Sequence, residues 1–315
     1  MFLRTLTLLS LLTWTLAASV STLYQFRNKG TFIDNLVIRG NGHILLTRID
    51  VPQVWSVDPN TRVGTVVHDF SYDNSTITSC FGIAEVHPGS DIFAVVTGSF
   101  DASSFSSVPG SFEVWKLDIS GDETEVSPLV AIPEAKALST VIKHGDLLLI
   151  ADSPDGAIWR VNLRTNEYAK AIVHESMLPA PNAPPMGVNG IRVQNSFLYY
   201  ASTTREEFRR VAINAYGEAI GPFEIIASGT ALDNFDLDVD GTAYMATNAQ
   251  NSITTISPNG KVETIAGGKS SRELPGPTSC VLKGKKLYVG TNGGLTAPVD
   301  GVFTEQGKVA TIQLP

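Results

Sequence analysis

The sequence predicts an all-β protein that folds as one six-bladed β-propeller closed by an N-terminal strand. A pattern of short apolar strands joined by tight turns recurs six times, with a period of about 40–50 residues, the range found in propeller blades. Two copies, 34–59 (DNLVIRGNGHILLTRIDVPQVWSVDP) and 233–258 (DNFDLDVDGTAYMATNAQNSITTISP), show the shared pattern. Because a single blade cannot bury both of its faces, the copies must stack around an axis. Functional residues are then expected at the mouth of the central channel.

Each repeat is predicted to open with the strand that lines the channel, followed by a tight turn. Asn41-Gly42 and Asp240-Gly241 are typical two-residue hairpin turns at this place. The six innermost strands are expected to begin near Asp34, Phe81, Ser139, Asn189, Asp233 and Ser279.

Three tryptophans support the alignment of the repeats. Trp55, Trp115 and Trp159 occupy the same place in the third strand of their repeats. This equivalence indicates packing between blades rather than stacking on a ligand.

The two ends of the chain are predicted to meet. Residues 22–27 (TLYQFR) form a short alternating stretch, and the last repeat ends at Leu314 without a fourth strand. We expect the N-terminal segment to supply that outer strand, because ring closure removes exposed sheet edges.

The first residues predict a secreted chain. Met1–Arg4 carries one positive charge, residues 6–18 are an apolar run, and Ala17-Ala18-Ser19 offers small residues for cleavage. This pattern is typical of a signal peptide over residues 1–18, followed by a single domain over 19–315. The alternative is a mature N-terminal helix. No later stretch is apolar enough to span a membrane, and we expect the protein in the secretory pathway or outside the cell.

A secreted chain folds in an oxidising compartment, where we expect two covalent modifications, a disulfide and a glycosylation. Cys80 and Cys280 each follow Thr-Ser at the start of an innermost strand, in the second and sixth repeats. We expect a disulfide between them that pins two blades across the ring seam; the alternative is two buried free thiols. The sequon Asn74-Ser75-Thr76 predicts glycosylation in a surface connection.

Charge and motif content exclude several function classes. The formal net charge of −8, without a basic run, argues against nucleic-acid binding. The chain has no G-x-S-x-G, H-E-x-x-H, P-loop or complete dinucleotide fingerprint. Its histidines share no ligand spacing: His43, His68, His87, His144 and His174. No cofactor is expected from these patterns.

Two columns of residues are predicted at the channel mouth. The starts of the innermost strands place Asp34, Phe81, Leu138, Asn189, Asp233 and Thr278 there. The ends of the second strands place Arg48, Gly98, Asp152, Thr203, Asn248 and Asn292 there. The loop 99–110 adds Phe100 and Phe105 as walls, and the Pro-rich connection 178–187 is either a lip over the channel or a plain connector. A mostly apolar pocket with a few polar groups suits a small organic ligand.

Asn189-Gly190-Ile191, together with the stretch 152–161 (DSPDGAIWRV), resembles the gluconolactonase and senescence-marker-protein propellers and their strictosidine-synthase relatives. Lactonases of that family bind a divalent cation on the axis through a Glu, two Asn-type ligands and an Asp. Asn189 and Asp233 match such positions, with Asp34 at the first repeat, whereas Phe81, Leu138 and Thr278 depart from the pattern. An oxygen-ligated cation takes six or more oxygens, so the departure argues against a metal site.

A second resemblance concerns secreted fungal hetero-Diels–Alderases of tropolone sesquiterpenoid biosynthesis. The chain is similar to that group in Tyr24-Gln25-Phe26-Arg27, Asp34-Asn35, the stretch 49–55 (IDVPQVW) and the pair of cysteines. The resemblance implies a [4+2] addition, without metal or cofactor, that joins a tropolone o-quinone methide to a humulene-type olefin.

On this reading the mouth holds two small molecules and supplies the groups that act on them. The candidate hydrogen-bond donors are Arg48, Asn189, Asn248 and Asn292. The candidate substrate contacts are Asp34, Phe81, Phe100, Phe105, Leu138, Asp233 and Thr278. A divalent-metal-dependent lactonase and a non-catalytic ligand-binding propeller remain as alternatives.

Overall fold

Six four-stranded antiparallel sheets surround a central channel, which confirms the six-bladed propeller. The computed structural model describes residues 19–101, 104 and 106–315. The predicted signal peptide and Phe105 lie outside the described residues. Adjacent innermost strands contact one another around the ring, and the sixth blade contacts the first.

Each blade is built from consecutive strands, except that the N-terminal strand β1 (Val20–Gln25) belongs to the last blade. Blade 1 comprises β2 (Ile33–Ile38), β3 (Ile44–Arg48), β4 (Gln53–Val57) and β5 (Gly64–Asp69). Blade 2 comprises β6 (Ser79–Glu85), β7 (Ile92–Gly98), β10 (Glu113–Asp118) and β11 (Glu125–Ala131), with the short hairpin β8 (Phe100–Asp101) and β9 (Ser106–Ser107) in its loop. Blade 3 comprises β12 (Leu138–His144), β13 (Leu147–Asp152), β14 (Ala157–Asn162) and β15 (Tyr168–Val173).

The second half of the ring repeats this order. Blade 4 comprises β16 (Val188–Gln194), β17 (Phe197–Ser202), β18 (Glu207–Ala212) and β19 (Glu224–Ser228). Blade 5 comprises β20 (Phe235–Leu237), β21 (Ala243–Thr247), β22 (Ser252–Ile256) and β23 (Val262–Gly267). Blade 6 comprises β24 (Pro277–Lys283), β25 (Lys286–Thr291), β26 (Lys308–Gln313) and β1. Within the described residues, 3₁₀ turns lie in the connections at Phe70–Tyr72, Glu175–Met177 and Asn248–Gln250.

The N-terminal strand closes the ring as predicted. β1 pairs antiparallel with β26, with Val20 opposite Ile312 and Gln25 opposite Lys308. The outer edge of β26 is therefore covered by a strand from the other end of the chain.

Second strands are buried on both faces because each blade is packed between two neighbours. All five residues of β3 and all six of β13 are buried. The innermost strands approach closely at the channel, where a Cβ on Gly190 would lie 2.8 Å from Asn234 Cα. Glycine at this position lets blades 4 and 5 meet backbone to backbone.

The predicted packing role of the tryptophans is confirmed. Trp115 of blade 2 meets Phe70, which follows blade 1, edge to face at 5.6 Å between ring centroids. Trp55 meets Phe26 in the same way at 4.9 Å. Trp159 is 4% exposed within the apolar core between blades 2 and 3.

The expected disulfide is wrong. Cys80 and Cys280 are both buried free thiols. Cys80 packs with Leu45 and Val54 between blades 1 and 2, whereas Cys280 packs with Ala246 between blades 5 and 6. Since the inner parts of blades 6 and 1 lie between the two sulfurs, no bridge can form without opening the ring.

The sequon lies in the connection between blades 1 and 2. Asn74 is half-buried, and its Oδ1 accepts hydrogen bonds from the backbone N of Thr76 at 3.1 Å and from its Oγ1 at 2.8 Å. Glycosylation of Asn74 stays a prediction. Among the described residues, no helix has the length and apolar character needed to cross a membrane.

Candidate active site

A cavity of about 1590 Å³ opens at the face where the innermost strands begin. All six blades contribute to its walls, through the ends of the strands and the loops that connect them. Single-ligand sites in proteins commonly measure about 300–1000 Å³. The cavity therefore has room for two small organic molecules side by side.

Blades 1 to 3 form an apolar sector of the cavity. We use this name for Phe32, Ile49, Phe81, Phe100 and Leu138, all of which line the cavity. Phe32, Ile49, Phe81 and Leu138 belong to one continuous core cluster, and Phe100 packs against it. The Phe81 and Phe100 rings meet edge to face with 5.5 Å between centroids. This sector offers rigid hydrocarbon surface to a ligand because the cluster behind it is closely packed.

Blades 4 to 6 form a polar sector, which we define as Asn189, Thr203, Asp233, Asn248 and Thr296. These residues also line the cavity. Asn189 Nδ2 donates to Asp233 Oδ1 at 2.8 Å, and Asn248 Nδ2 lies 3.4 Å from Asp233 Oδ2. Thr296 Oγ1 donates to Asn248 Oδ1 at 2.7 Å. The hydrogen bonds link three blades and fix the amides around one carboxyl group.

Asp34 of blade 1 continues this polar surface toward the apolar sector. Asn35 Nδ2 donates to Asp34 Oδ2 at 2.7 Å. The Asn35 Oδ1 in turn accepts a hydrogen bond from the side-chain amide of Asn234 on blade 5. Thr278 of blade 6 lies between these blades and donates to the Ile33 carbonyl at 2.7 Å. These bonds tie blades 5, 6 and 1 together beneath the two aspartates.

Both aspartates are half-buried in the cavity wall, and this environment shifts their pKa values well above the ordinary range. Burial raises the pKa of Asp34 to about 6, against a smaller lowering by the hydrogen bond from Asn35. Burial first, and then the charge of Asp34, raise the pKa of Asp233 to about 8. Within the described part of the chain neither carboxyl forms an ion pair. At neutral pH the two groups therefore hold close to one proton between them.

Seven of the predicted site residues line the cavity: Asp34, Phe81, Phe100, Leu138, Asn189, Asp233 and Asn248. The Pro-rich connection also reaches it, through residues 183–186. This position favours a lip over the channel.

Arg48 lies behind the wall, which corrects its expected place at the mouth. Its guanidinium pairs with Asp50 and lies over the Phe26 ring at 4.9 Å. The side chain points along blade 1 into the space beside Trp55 because Asp50 holds it there. In this position the Arg48 guanidinium does not face the cavity, so it is not a candidate donor to a ligand.

Thr278 and Asn292 are likewise absent from the described lining of the cavity. Thr278 is buried, and its hydroxyl group is used in the hydrogen bond to the Ile33 carbonyl. Asn292 is fully buried; its Oδ1 accepts from the backbone N of Gly294 at 2.9 Å and its Nδ2 donates to Thr296 Oγ1 at 3.1 Å. Asn292 holds the turn that brings Leu295 and Thr296 to the rim of the cavity. Its influence on a ligand is therefore indirect, through the position of that loop.

Several lining residues were missed by the sequence analysis. Phe32 and Ile49 sit beside the predicted columns, one or two residues away from Asp34 and Arg48, and Thr296 follows an irregular loop. The Asn-Gly-Gly turn at 292–294 was a usable indication that this loop bends back toward the channel.

The donor set does not fit the divalent cation that the lactonase resemblance implies. Asn35, Asn189 and Asn248 turn amide nitrogens, which are not metal ligands, toward the two carboxyl groups. The described residues contain no group of three or more His, Cys, Asp or Glu side chains placed to hold a metal ion. A hard cation would need six or more oxygens at this place.

Comparison with known proteins finds relatives in sequence and neighbours in fold. A protein from Phoma sp named "Putative hetero-Diels-Alderase" is 29% identical over 313 residues, which cover 88% of this chain and 87% of that protein. A protein of the same description from Sarocladium schorii is 26% identical over 294 residues, which cover 79% of this chain and 71% of that protein. No family model matches the chain.

Among solved structures, a gluconolactonase from Xanthomonas campestris has a TM-score of 0.64 at 12% identity, covering 95% of this chain and 90% of that one. At this identity the likeness concerns the fold alone. The chain thus resembles proteins named as hetero-Diels–Alderases in its sequence, and gluconolactonase-like six-bladed propellers in its fold.

Proposed function

We propose that this protein is a hetero-Diels–Alderase that joins an oxygen-bearing heterodiene to an apolar olefin. The observation that carries the proposal is the pairing of an apolar and a polar sector in one cavity large enough for both partners. The names of the two sequence relatives support the same reaction class. For the partners we propose a tropolone o-quinone methide and a humulene-type sesquiterpene.

The reaction needs no atom beyond those of its two substrates. The carbon and oxygen ends of the heterodiene form one C–C and one C–O bond to the two carbons of the olefin double bond. Three π bonds become one π bond and two σ bonds, and no group leaves. The task of the protein is therefore to gather, align and polarise its substrates.

The apolar sector suits the olefin. Burying hydrocarbon surface contributes roughly 25 cal/mol per Å², and a macrocyclic olefin has no polar group to orient it. Phe81, Phe100 and Leu138 would hold it by shape. Fixing one partner beside the other can lower the barrier of a bimolecular step by up to about 7–11 kcal/mol in ideal cases.

The polar sector suits the heterodiene. A quinone methide presents carbonyl oxygen, on which negative charge builds as the electron-rich olefin adds. Hydrogen-bond donors fixed before the reaction stabilise that charge. Asn189 and Asn248 belong to a bonded network that crosses from blade 4 to blade 6, so their positions are set without the ligand.

The test is a reaction of the purified mature protein with a quinone-methide precursor and humulene, followed by chromatography of the adduct. We expect adduct formation faster than without protein, and unchanged by EDTA. A matched control is Val239→Ala, 90% exposed at the hairpin turns on the opposite face, which should keep the wild-type rate. A rate equal to the uncatalysed background would overturn the proposal. Loss of the rate with EDTA, together with lactone hydrolysis, would favour the metal-dependent lactonase instead.

A further inference from the structure

Two carboxyl groups reach the cavity at neighbouring places in the ring, and the mechanism above gives them no part. Asp233 lies two residues before the innermost strand of blade 5, and Asp34 lies in that of blade 1. Only blade 6, represented by Thr278, lies between them. Both aspartates line the cavity and both are partly accessible from it. They are therefore within reach of a ligand in the polar sector.

Among the described residues, no cation forms an ion pair with either aspartate. Arg192 of blade 4 lies deeper in the channel, where its Nη1 donates to Asn234 Oδ1 at 3.3 Å and its Nε pairs with Asp236 at 3.3 Å. The innermost strands of blades 2, 3 and 6 contribute Phe81, Leu138 and Thr278 near the mouth, none of which is charged.

The charged groups at the rim do not neutralise the pair either. Lys136 is paired with Asp155 at 2.7 Å. Glu134 and Glu206 are further acids of the cavity wall. A shared proton is the remaining way to reduce the charge of two enclosed carboxyl groups.

The two oxygens of Asp233 differ in their surroundings. Oδ1 accepts a good hydrogen bond from Asn189 Nδ2 at 2.8 Å. Oδ2 has a longer contact of 3.4 Å to Asn248 Nδ2. Because a protonated oxygen is a poor acceptor, Oδ2 is the oxygen better suited to carry a proton.

We propose, on the basis of the function proposed above, that Asp34 and Asp233 share one proton and that Asp233 Oδ2–H donates a hydrogen bond to the carbonyl oxygen of the heterodiene. Asp233 is then a catalytic residue and Asp34 a positioning residue that keeps the proton in place. The proton stays on the carboxyl group throughout, so no proton transfer has to be balanced. A neutral acid in an enclosed site is a stronger donor to developing charge than a side-chain amide.

The raised pKa values of the two aspartates support this role. Burial and the charge of Asp34 raise the pKa of Asp233 to about 8, so the acid form predominates at pH 7. The pKa of Asp34 is raised less, to about 6, so it is mainly ionised there.

The first test is the pH dependence of kcat/KM for adduct formation, corrected for the reaction without protein. The wild-type value is expected to be level below pH 7 and to fall about tenfold per pH unit above about pH 8. Asp233→Asn should lower the value at pH 7 at least about tenfold and abolish that fall. Asp240→Asn is the matched control, because Asp240 is exposed in the hairpin turn after the innermost strand of blade 5 and lies outside the described lining of the cavity. It should keep the wild-type profile.

The second test does not depend on activity. Carboxyl carbon NMR of the ligand-free protein should show one aspartate titrating near pH 8 that disappears in Asp233→Asn. Asp34→Asn should lower this midpoint, because it removes the neighbouring negative charge.

The outcomes separate the two proposals. A midpoint below pH 5 for Asp233 overturns the shared proton. A midpoint near pH 8 combined with an unchanged rate in Asp233→Asn overturns the donor role and leaves the cycloaddition standing. Absence of adduct from the wild-type protein at every pH removes the proposed function, and this inference with it.

Discussion

Asn189 of blade 4 donates its side-chain amide to Asp233 of blade 5, with 2.8 Å between Nδ2 and Oδ1. The bond joins two blades at the cavity wall, next to the close approach of Gly190 to the Asn234 backbone. The same pair therefore contributes to the packing of the ring and to the polar surface that faces a ligand.

Asn189→Ala is expected to slow adduct formation about tenfold, since it removes a fixed donor from the polar sector. It should also raise the pKa of Asp233 further, because the hydrogen bond from Asn189 lowers that pKa in the wild type. Rate measurements and carboxyl NMR check the two effects separately. A normal rate with a shifted titration would show that Asn189 acts on Asp233 alone.

Phe100→Ala is expected to weaken binding of the olefin by about tenfold, the equivalent of about 1.4 kcal/mol of buried apolar surface. Phe100 is half-buried and packs on Phe81 at the cavity edge, so the ring should stay folded. Titration with each substrate alone provides the measurement. Equal weakening for the olefin and for the tropolone partner would contradict the division into two sectors.

Arg48→Ala is expected to destabilise the protein by about 2–4 kcal/mol, because it leaves Asp50 without its cation in a largely buried place and removes the contact with Phe26. The stereochemistry of the adduct, measured on folded protein, should not change. An intact melting temperature with altered stereochemistry would place Arg48 at the site after all.

The two thiols are expected to be free in the native protein. Reductant should leave the melting temperature unchanged, and a thiol reagent should modify both cysteines only after denaturation, since both are buried. Mass spectrometry under non-reducing conditions gives an independent reading. A mass two hydrogens lower than that of the reduced chain would demonstrate the disulfide that the structure rules out.

Stability should fall as the pH rises through the titration of the aspartate pair. The pKa of Asp233 is raised from 3.8 to about 8, so the folded state holds this proton more tightly than the unfolded state does. Its contribution is most favourable below about pH 4 and is lost progressively up to about pH 8. Thermal melts of wild type and Asp233→Asn should therefore diverge in favour of the variant between pH 5 and pH 9. Parallel curves would mean that Asp233 is ionised throughout.

The repeat pattern was sufficient to predict the number of blades and the closure by β1, because both depend on periodic apolar strands and on the missing outer strand of the last repeat. It also placed Asp34, Asn189 and Asp233 at the mouth, since strand starts recur at equivalent positions. Arg48 could not be placed in this way. A long side chain at the end of a strand can turn outward or inward, and a local partner, Asp50, decided its direction.

The prediction of a disulfide was wrong for a related reason. Equivalent Thr-Ser-Cys sequences put Cys80 and Cys280 at the same height in their blades but do not report which neighbour each side chain faces. In the ring each thiol packs toward the preceding blade, so the two are separated by the bodies of blades 6 and 1. The position of Thr296 in the cavity wall could not be predicted, because it lies in an irregular loop without the periodic pattern that locates strands.

The enantiomeric composition of the adduct tests the central claim most directly. Quinone methide and olefin should be combined at pH 7 with the purified protein, and with protein inactivated by heat as the control. A cavity whose two sectors hold the two partners predicts one adduct enantiomer in clear excess with the native protein and a racemic adduct in the control. A racemic product from both samples would contradict the claim that this cavity aligns the two substrates for cycloaddition.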